Sequence, residues 1–212
     1  MALQIRTVVS LSFSENSYIV SLPGRRDAVV IDPGLDPDAI LQTLDQDKLS
    51  VAAILNTHGH ADHIAGNGAI KQAFPTAPLV IGAADASFLT DPEANLSSSF
   101  GMPIASPPAD RVVRQGDTID AAGIVFAVVH LPGHSPGHVA YLYQGDPAVA
   151  FDGDVLFRRS IGRSDFPGGD GELLLRSIRE RLLTLPPDTI IYPGHGAAST
   201  IGAEQQSNPF LK

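Results

Sequence analysis

Four metal-capable side chains stand within six residues in the stretch Thr57-His58-Gly59-His60-Ala61-Asp62-His63. Imidazole and carboxylate are ligands that suit zinc or iron. An apolar run, Val51-Ala52-Ala53-Ile54-Leu55, leads directly into them. A helix would scatter these side chains around its axis, whereas a tight loop at a strand end can aim them at one point. Gly59 and Ala61 add little bulk there. Three later segments carry the same residue types beside glycine: Leu131-Pro132-Gly133-His134-Ser135-Pro136-Gly137-His138, Asp152-Gly153-Asp154 and Tyr192-Pro193-Gly194-His195-Gly196. Glycine lets the backbone turn sharply and brings the next side chain close to a shared centre. A lone Pro-Gly-His is usually just a turn. Four such loops holding nearly all the histidines of one chain point jointly to a metal centre. A solvent-exposed histidine run would not need the Asp within it, the strand before it or these distant partners.

The elements that must position these loops are mostly strands. Residues 5–9, 17–22 and 28–31 are rich in β-branched side chains, with a Pro23-Gly24 turn between two of them. Asp36 reads as the N-cap of a helix with Pro37 in its first turn and Ile40, Leu41 and Leu44 as its apolar stripe. Residues 51–55 form an all-apolar strand, buried on both faces. A helix over 64–74, weakened at its start by Gly66 and Gly68, and a strand over 79–81 follow. Residues 91–110 carry four prolines and a triple serine, and read as an irregular, mobile loop. Strands at 112, 119, 124–129, 139–143 and 148–151 come next, then a helix over 172–183 with Leu174, Leu175, Ile178 and Leu182 on one face. A strand at 189–192 and a short helix at 201–206 close the chain. Two sets of strands, each followed by helices, predict two sheets packed face to face with helices outside.

With 212 residues the chain suffices for one sizeable domain or two small ones. No apolar run reaches membrane-spanning length, and residues 1–6 lack the pattern of a signal peptide. A net charge of −9 disfavours a nucleic-acid backbone as partner. The absence of cysteine removes disulfides, thiolate ligands and a cysteine nucleophile together. A cytoplasmic location is the default expectation, and the oligomeric state is not visible.

The order His58-x-His60-x-Asp62-His63, His134, Asp154, His195 resembles the ligand set of the metallo-β-lactamase superfamily over nearly the whole chain. Gly153-Asp154-Val155-Leu156-Phe157, Gly162-Arg163-Ser164-Asp165-Phe166-Pro167-Gly168-Gly169, Pro193-Gly194-His195-Gly196 and Asn208-Pro209-Phe210 resemble short, single-domain type II glyoxalases of bacteria. The resemblance implies an α/β fold, the αββα sandwich of two mixed sheets flanked by helices, in one domain over 1–212 without a C-terminal helical substrate domain. It implies two divalent metal ions, zinc first, with iron or manganese acceptable to the same ligands. His58, His60 and His134 would hold one, Asp62, His63 and His195 the other, and Asp154 both. Asp32 would stand behind the first site, fixing a ligand tautomer, while His130 and His138 match no ligand position.

The activity implied is hydrolysis of a thioester, S-lactoylglutathione or a related acyl-thiol. Two metals about 3.5–4 Å apart can hold a water between them and bring its pKa to about 7, and that hydroxide would attack the carbonyl carbon. A thiol with a pKa of about 8.5 leaves readily. Asp62 and Asp154 are the catalytic carboxylates, Asp62 both ligating and orienting the hydroxide. Arg158, Arg159 and Arg163 could receive substrate carboxylates. Two-domain glyoxalases II carry a basic glutathione-binding residue matching Arg163, but an aromatic where this chain has Asp165. The main alternative is a persulfide dioxygenase with one Fe(II) on His58, His134 and Asp154. An inactive scaffold is the lesser one. A β-lactamase is disfavoured because the commonest type uses a cysteine at the second metal.

Overall fold

Period-two alternation of apolar side chains builds two six-stranded sheets in the computed structural model, which describes residues 2–212. Met1, included in the N-terminal reading, lies outside them. The first sheet runs β1 (Gln4–Val9), β2 (Asn16–Ser21), β3 (Asp27–Ile31), β4 (Ser50–Leu55), β5 (Leu79–Gly82), β6 (Arg111–Val113). Its first three strands are antiparallel and β3 to β6 are parallel. The second sheet contains β7 (Thr118–Ala121), β8 (Ile124–His130), β9 (Val139–Tyr143) and β10 (Val149–Gly153) as successive antiparallel neighbours. A hairpin of β11 (Leu156–Phe157) and β12 (Ser160–Ile161) leaves the sheet. Then β13 (Ile190–Pro193) joins β10 in parallel and β14 (Ser199–Thr200) closes the edge.

Along β3, Val29 and Ile31 enter the core between the sheets, while Ala28 and Val30 face the outer layer. Strand β4 keeps in step through a register shift: Ala28 pairs with Val51, but Val29 pairs with Ala53. The skipped Ala52 resets the alternation, so Leu55 points inward and Ile54 outward. Phe126, Tyr141 and Phe151 fill the second sheet's side of the shared core. Outside the first sheet lie α1 (Pro37–Gln46), α2 (Ala61–Ile64) and α3 (Asn67–Ala73), seated through Ile40, Leu44, Ile64 and Ile70. Outside the second lie α4 (Gly171–Ser177) and α5 (Ile201–Ser207), seated through Leu174 and Ile201. This is the αββα sandwich expected from the sequence.

Four local expectations need correction. The helix over 64–74 is two pieces, α2 and α3, because Gly66 donates its N–H to Pro33 O at 2.8 Å. A Cβ at Gly66 would meet Gly34 O at 2.7 Å, so the chain turns where only glycine fits. The helix over 172–183 is α-helical only through Ser177 and widens to a π turn over Ile178–Leu182. Asp36 flanks α1 without capping it; its carboxylate accepts Leu11 N–H at 2.7 Å instead. The 91–110 segment is irregular but tied down: buried Asn95 donates to Phe88 O and Ile104 O, and Ser106 N–H reaches Leu89 O. Among the described residues, no helix is long and apolar enough to cross a membrane.

Candidate metal centre

Strands β4, β8, β10 and β13 deliver their C-terminal ends to one side of the sandwich. The loop after β4 brings His58, His60, Asp62 and His63, and those after β8, β10 and β13 bring His134, Asp154 and His195. Ligand atoms of His58, His60 and His134 lie within 4.8 Å of one another, as do those of Asp62, His63 and His195. Asp154 stands between the two groups. Its carboxylate oxygens are 3.5 Å from His63 Nε2, 3.6 Å from His195 Nε2 and 3.7 Å from His134 Nε2. His60 Nδ1 and His134 Nε2 are 2.9 Å apart, and His195 Nε2 and Asp62 Oδ2 3.2 Å. Ligand atoms held around one cation at about 2.0–2.1 Å stand roughly 3–3.5 Å apart, so these spacings fit. Three buried atoms, His58 Nε2, His63 Nε2 and Asp154 Oδ1, have no hydrogen-bond partner. Leaving such atoms unpaired is costly, and a pair of cations would engage all three. The seven side chains singled out in the sequence are thus brought together, with donors that fit two divalent cations.

The opposite nitrogens of these rings are held. His134 Nδ1 donates to Arg163 O at 2.7 Å. His63 Nδ1 donates to Asp32 Oδ2 at 3.2 Å. Thr57 Oγ1 donates to Asp32 Oδ2 at 2.7 Å and so can accept from His58 Nδ1 at 3.1 Å. Each bond leaves Nε2 as the lone-pair donor. Asp32, expected behind the first group only, therefore touches the second group directly and reaches the first through Thr57. It adopts φ +48°, a left-handed conformation that Asp tolerates better than most residues. A third cluster, Asp32 with His58 and His63, is this same support, its carboxylate already occupied.

Asp85 was missed in the sequence, where it lies in an unremarked run far from any motif. It is fully buried and accepts from Gly59 N–H (3.1 Å), Ser135 Oγ (2.6 Å) and Gly137 N–H (2.6 Å). It thereby ties the β4 loop to the His134 loop. Asn16 and Tyr18 do the same for the His195 loop: Asn16 Nδ2 donates to Pro193 O and Gly196 O, and Tyr18 OH to Pro193 O at 2.6 Å. His138 stacks on His58, ring centroids 4.8 Å apart, and accepts the Asp154 N–H at 3.1 Å. Gly153, at φ +51°, lets Thr57 and His138 approach, since a Cβ there would strike both. His130, by contrast, faces Pro136 O outside both groups.

Burial, reinforced by neighbouring imidazoles, lowers the His58 pKa well below its ordinary value and brings His60 down to about 3. Both rings are therefore neutral at physiological pH. Burial also opposes charge on His63, but Asp62 and Asp154, with Asp32, override it and push His63 up to about 10. At His195 burial is likewise outweighed by the Asp62 hydrogen bond and Asp154, raising its pKa. Burial would raise Asp62, but His63 and His195 hold it low. His58 and His60 are thus uncharged, while Asp62, His63 and His195 form a carboxylate–imidazolium cluster from which a cation would displace protons.

Above these groups opens a cavity of about 510 Å³ with His60, Asp62, His134, Asp154 and His195 on its floor and mostly apolar walls. Arg163 lines it; Arg158 and Arg159 are exposed and do not. The geometry gives the substrate role expected of those two no support. Arg163 itself is paired bidentately with Asp165, at 2.9 and 2.8 Å, and lies 4.2 Å from the Phe166 ring centroid.

The sequence model of the Metallo-beta-lactamase superfamily matches residues 12–195. The chain is 38% identical over 211 residues to hydroxyacylglutathione hydrolase GloC of Haemophilus influenzae, covering 99% of this chain and 98% of that one. Among solved structures, BLEG-1 B3 metallo-beta-lactamase superposes with a TM-score of 0.94 at 40% identity, covering 99% of this chain and 100% of that one. TTHA1623 in a di-iron-bound form does so with a TM-score of 0.85 at 39% identity, covering 97% and 100%.

Proposed function

The chain belongs to the metallo-β-lactamase superfamily, and on that premise we propose that it is a thioester hydrolase acting on S-lactoylglutathione or a related acyl-thiol. One observation carries this reading: two donor groups share Asp154 at the floor of a cavity open to a small molecule. His58, His60 and His134 would hold one divalent cation, Asp62, His63 and His195 the other, and Asp154 both. When bound, such cations supply reactive water near neutral pH and polarise a carbonyl oxygen.

The chain's own residues do the rest. Asp62, on the cavity floor, would orient the attacking water. In the reaction a C–O bond forms at the acyl carbon and the C–S bond breaks. One proton of water ends on the sulfur and the other leaves as the acid ionises. Among the described residues, no proton donor for an amine leaving group lines the floor besides these candidate ligands, which favours a thiolate, able to depart unprotonated. The likeness to GloC of Haemophilus influenzae supports the same substrate class.

The persulfide dioxygenase reading uses only His58, His134 and Asp154. It leaves the Asp62–His195 pair and the unpaired His63 Nε2 without a task. The likeness to a structure named as a B3 metallo-beta-lactamase reduces the weight of the missing cysteine, so β-lactams belong in the assay panel. Elemental analysis alongside hydrolysis of S-lactoylglutathione, β-lactams and glutathione persulfide tests the proposal. About two cations per chain with thioester cleavage is the expected result. One iron with oxygen uptake, or β-lactam cleavage alone, overturns it. Zinc is the first expectation, but TTHA1623 in its di-iron form keeps iron in view.

A further inference from the structure

The cavity walls say more about the acyl-thiol than the metal ligands do. Phe13, Leu96, Phe100, Met102, Ile104 and Phe157 surround the opening above the floor. Phe13 and Phe100 come from loops far apart in sequence and meet edge to face, their centroids 5.6 Å apart. Phe100 and Met102 stay 54% and 49% exposed, and Phe13 37%. Three large apolar side chains left in water at one cavity mouth mark a surface that gains by being covered. Among the described residues, Arg163 is the only lysine or arginine lining the cavity, and Asp165 already engages its Nε and Nη2 and offsets its charge. A glutathione carboxylate would share a cation that Asp165 already offsets, whereas an alkyl or aryl chain needs only apolar wall.

We propose that this site prefers acyl-thiols whose acyl group is a medium-length apolar chain, gripped by Phe13, Phe100 and Met102, over thioesters of glutathione. This rests on the thioester hydrolase reading and narrows its substrate. The acyl carbonyl would sit at the floor, and the chain would run out between the Phe13 and Phe100 loops.

The test uses metal-loaded protein of measured metal content and a series of S-acyl-N-acetylcysteamines from acetyl to octanoyl, which vary the chain while holding a small neutral thiol constant. The catalytic efficiency kcat/KM rises about two- to fourfold per methylene and passes that for S-lactoylglutathione. The Phe100→Ala/Met102→Ala variant lowers kcat/KM for the octanoyl substrate about tenfold more than for the acetyl one. A flat series, or S-lactoylglutathione as the best substrate, overturns the preference. Non-cleavable S-alkyl thioethers of N-acetylcysteamine, measured by calorimetry, separate the two readings. If their affinity tightens with chain length while no thioester is cleaved, the hydrolase reading falls and the apolar grip stands. If their affinity does not change with length, the present inference falls whatever the protein hydrolyses.

Discussion

Replacing Asp32 by Asn should weaken both cation positions at once, although Asp32 is a ligand of neither. The carboxylate accepts three hydrogen bonds in a fully enclosed setting, from Thr57 N–H, Thr57 Oγ1 and His63 Nδ1. An amide offers one acceptor oxygen. With its oxygen toward Thr57 N–H, its NH₂ opposes two donors; flipped, it opposes the Thr57 N–H. At least one buried donor is orphaned, which costs about 1–3 kcal/mol. Asn tolerates the left-handed backbone at this position nearly as well as Asp, so strain adds little. Loss of the carboxylate also lowers the basicity and fixes less firmly the orientation of His63, and through Thr57 of His58. Partners of this kind are worth about 10–100-fold in metal affinity. Thr57→Val serves as the companion variant, because it cuts only the branch to His58. Competitive titration against a chromophoric chelator resolves the two binding steps. Asp32→Asn should shift both and Thr57→Val mainly one. If Asp32→Asn shifts only one step, or neither, the relay through Thr57 does not operate.

Asp154→Ala removes a donor from both groups and should abolish turnover while lowering bound metal below one equivalent, measured by elemental analysis. Asp85→Ala leaves three buried donors without an acceptor and should cost about 3 kcal/mol or more of stability in urea unfolding, with activity falling because two ligand loops lose their tie. Asp165→Asn releases Arg163 from an exposed, solvent-screened pair, so the KM for S-lactoylglutathione should fall only modestly, and that for S-acetyl-N-acetylcysteamine should not move. Because His63 is held protonated up to about pH 10 and His195 is also raised, cation uptake must displace protons. Affinity should drop about tenfold per pH unit on acidification for each proton released, checked by calorimetry in buffers of different ionisation enthalpy.

The donors were legible because each lies in a glycine-containing loop at a strand end, a pattern that survives without knowing how the strands pair. The longer strands were legible from their apolar, β-branched runs, with bounds moved by a residue or two, but the two-residue strands β11, β12 and β14 were not. What eluded the sequence depends on contacts between distant segments. Asp85 looks like any acidic residue in a surface turn until the fold places Gly59, Ser135 and Gly137 around it. Asp36 has the right type and place for a cap, but Leu11 N–H competes successfully for its carboxylate. The break at Gly66 follows from the Pro33-Gly34 loop packing against it, a tertiary constraint that overrides helical periodicity. Arg158 and Arg159 drew notice by charge alone, and charge does not say on which side of the β11–β12 hairpin a side chain lies.

Neither donor group belongs to one sheet. His58 and His60 come from the first sheet and His134 from the second; Asp62 and His63 come from the first and His195 from the second. The distance between sheets at this end therefore sets the ligand spacing, and several hydrogen bonds fix that distance independently of any cation. Val139 N–H reaches Thr57 O at 2.8 Å, Tyr141 OH reaches Asn56 O at 3.0 Å, and Asn16 spans to Pro193 and Gly196. A site framed this way is preorganised, so little ordering cost offsets cation binding. The converse also holds. Cations that bind only the assembled form stabilise it by mass action, and they would do so at the end of the sandwich where loops from both sheets meet. The same loops that carry the chemistry close the end of the sandwich, which is why their glycines and buried carboxylates serve packing and reactivity together.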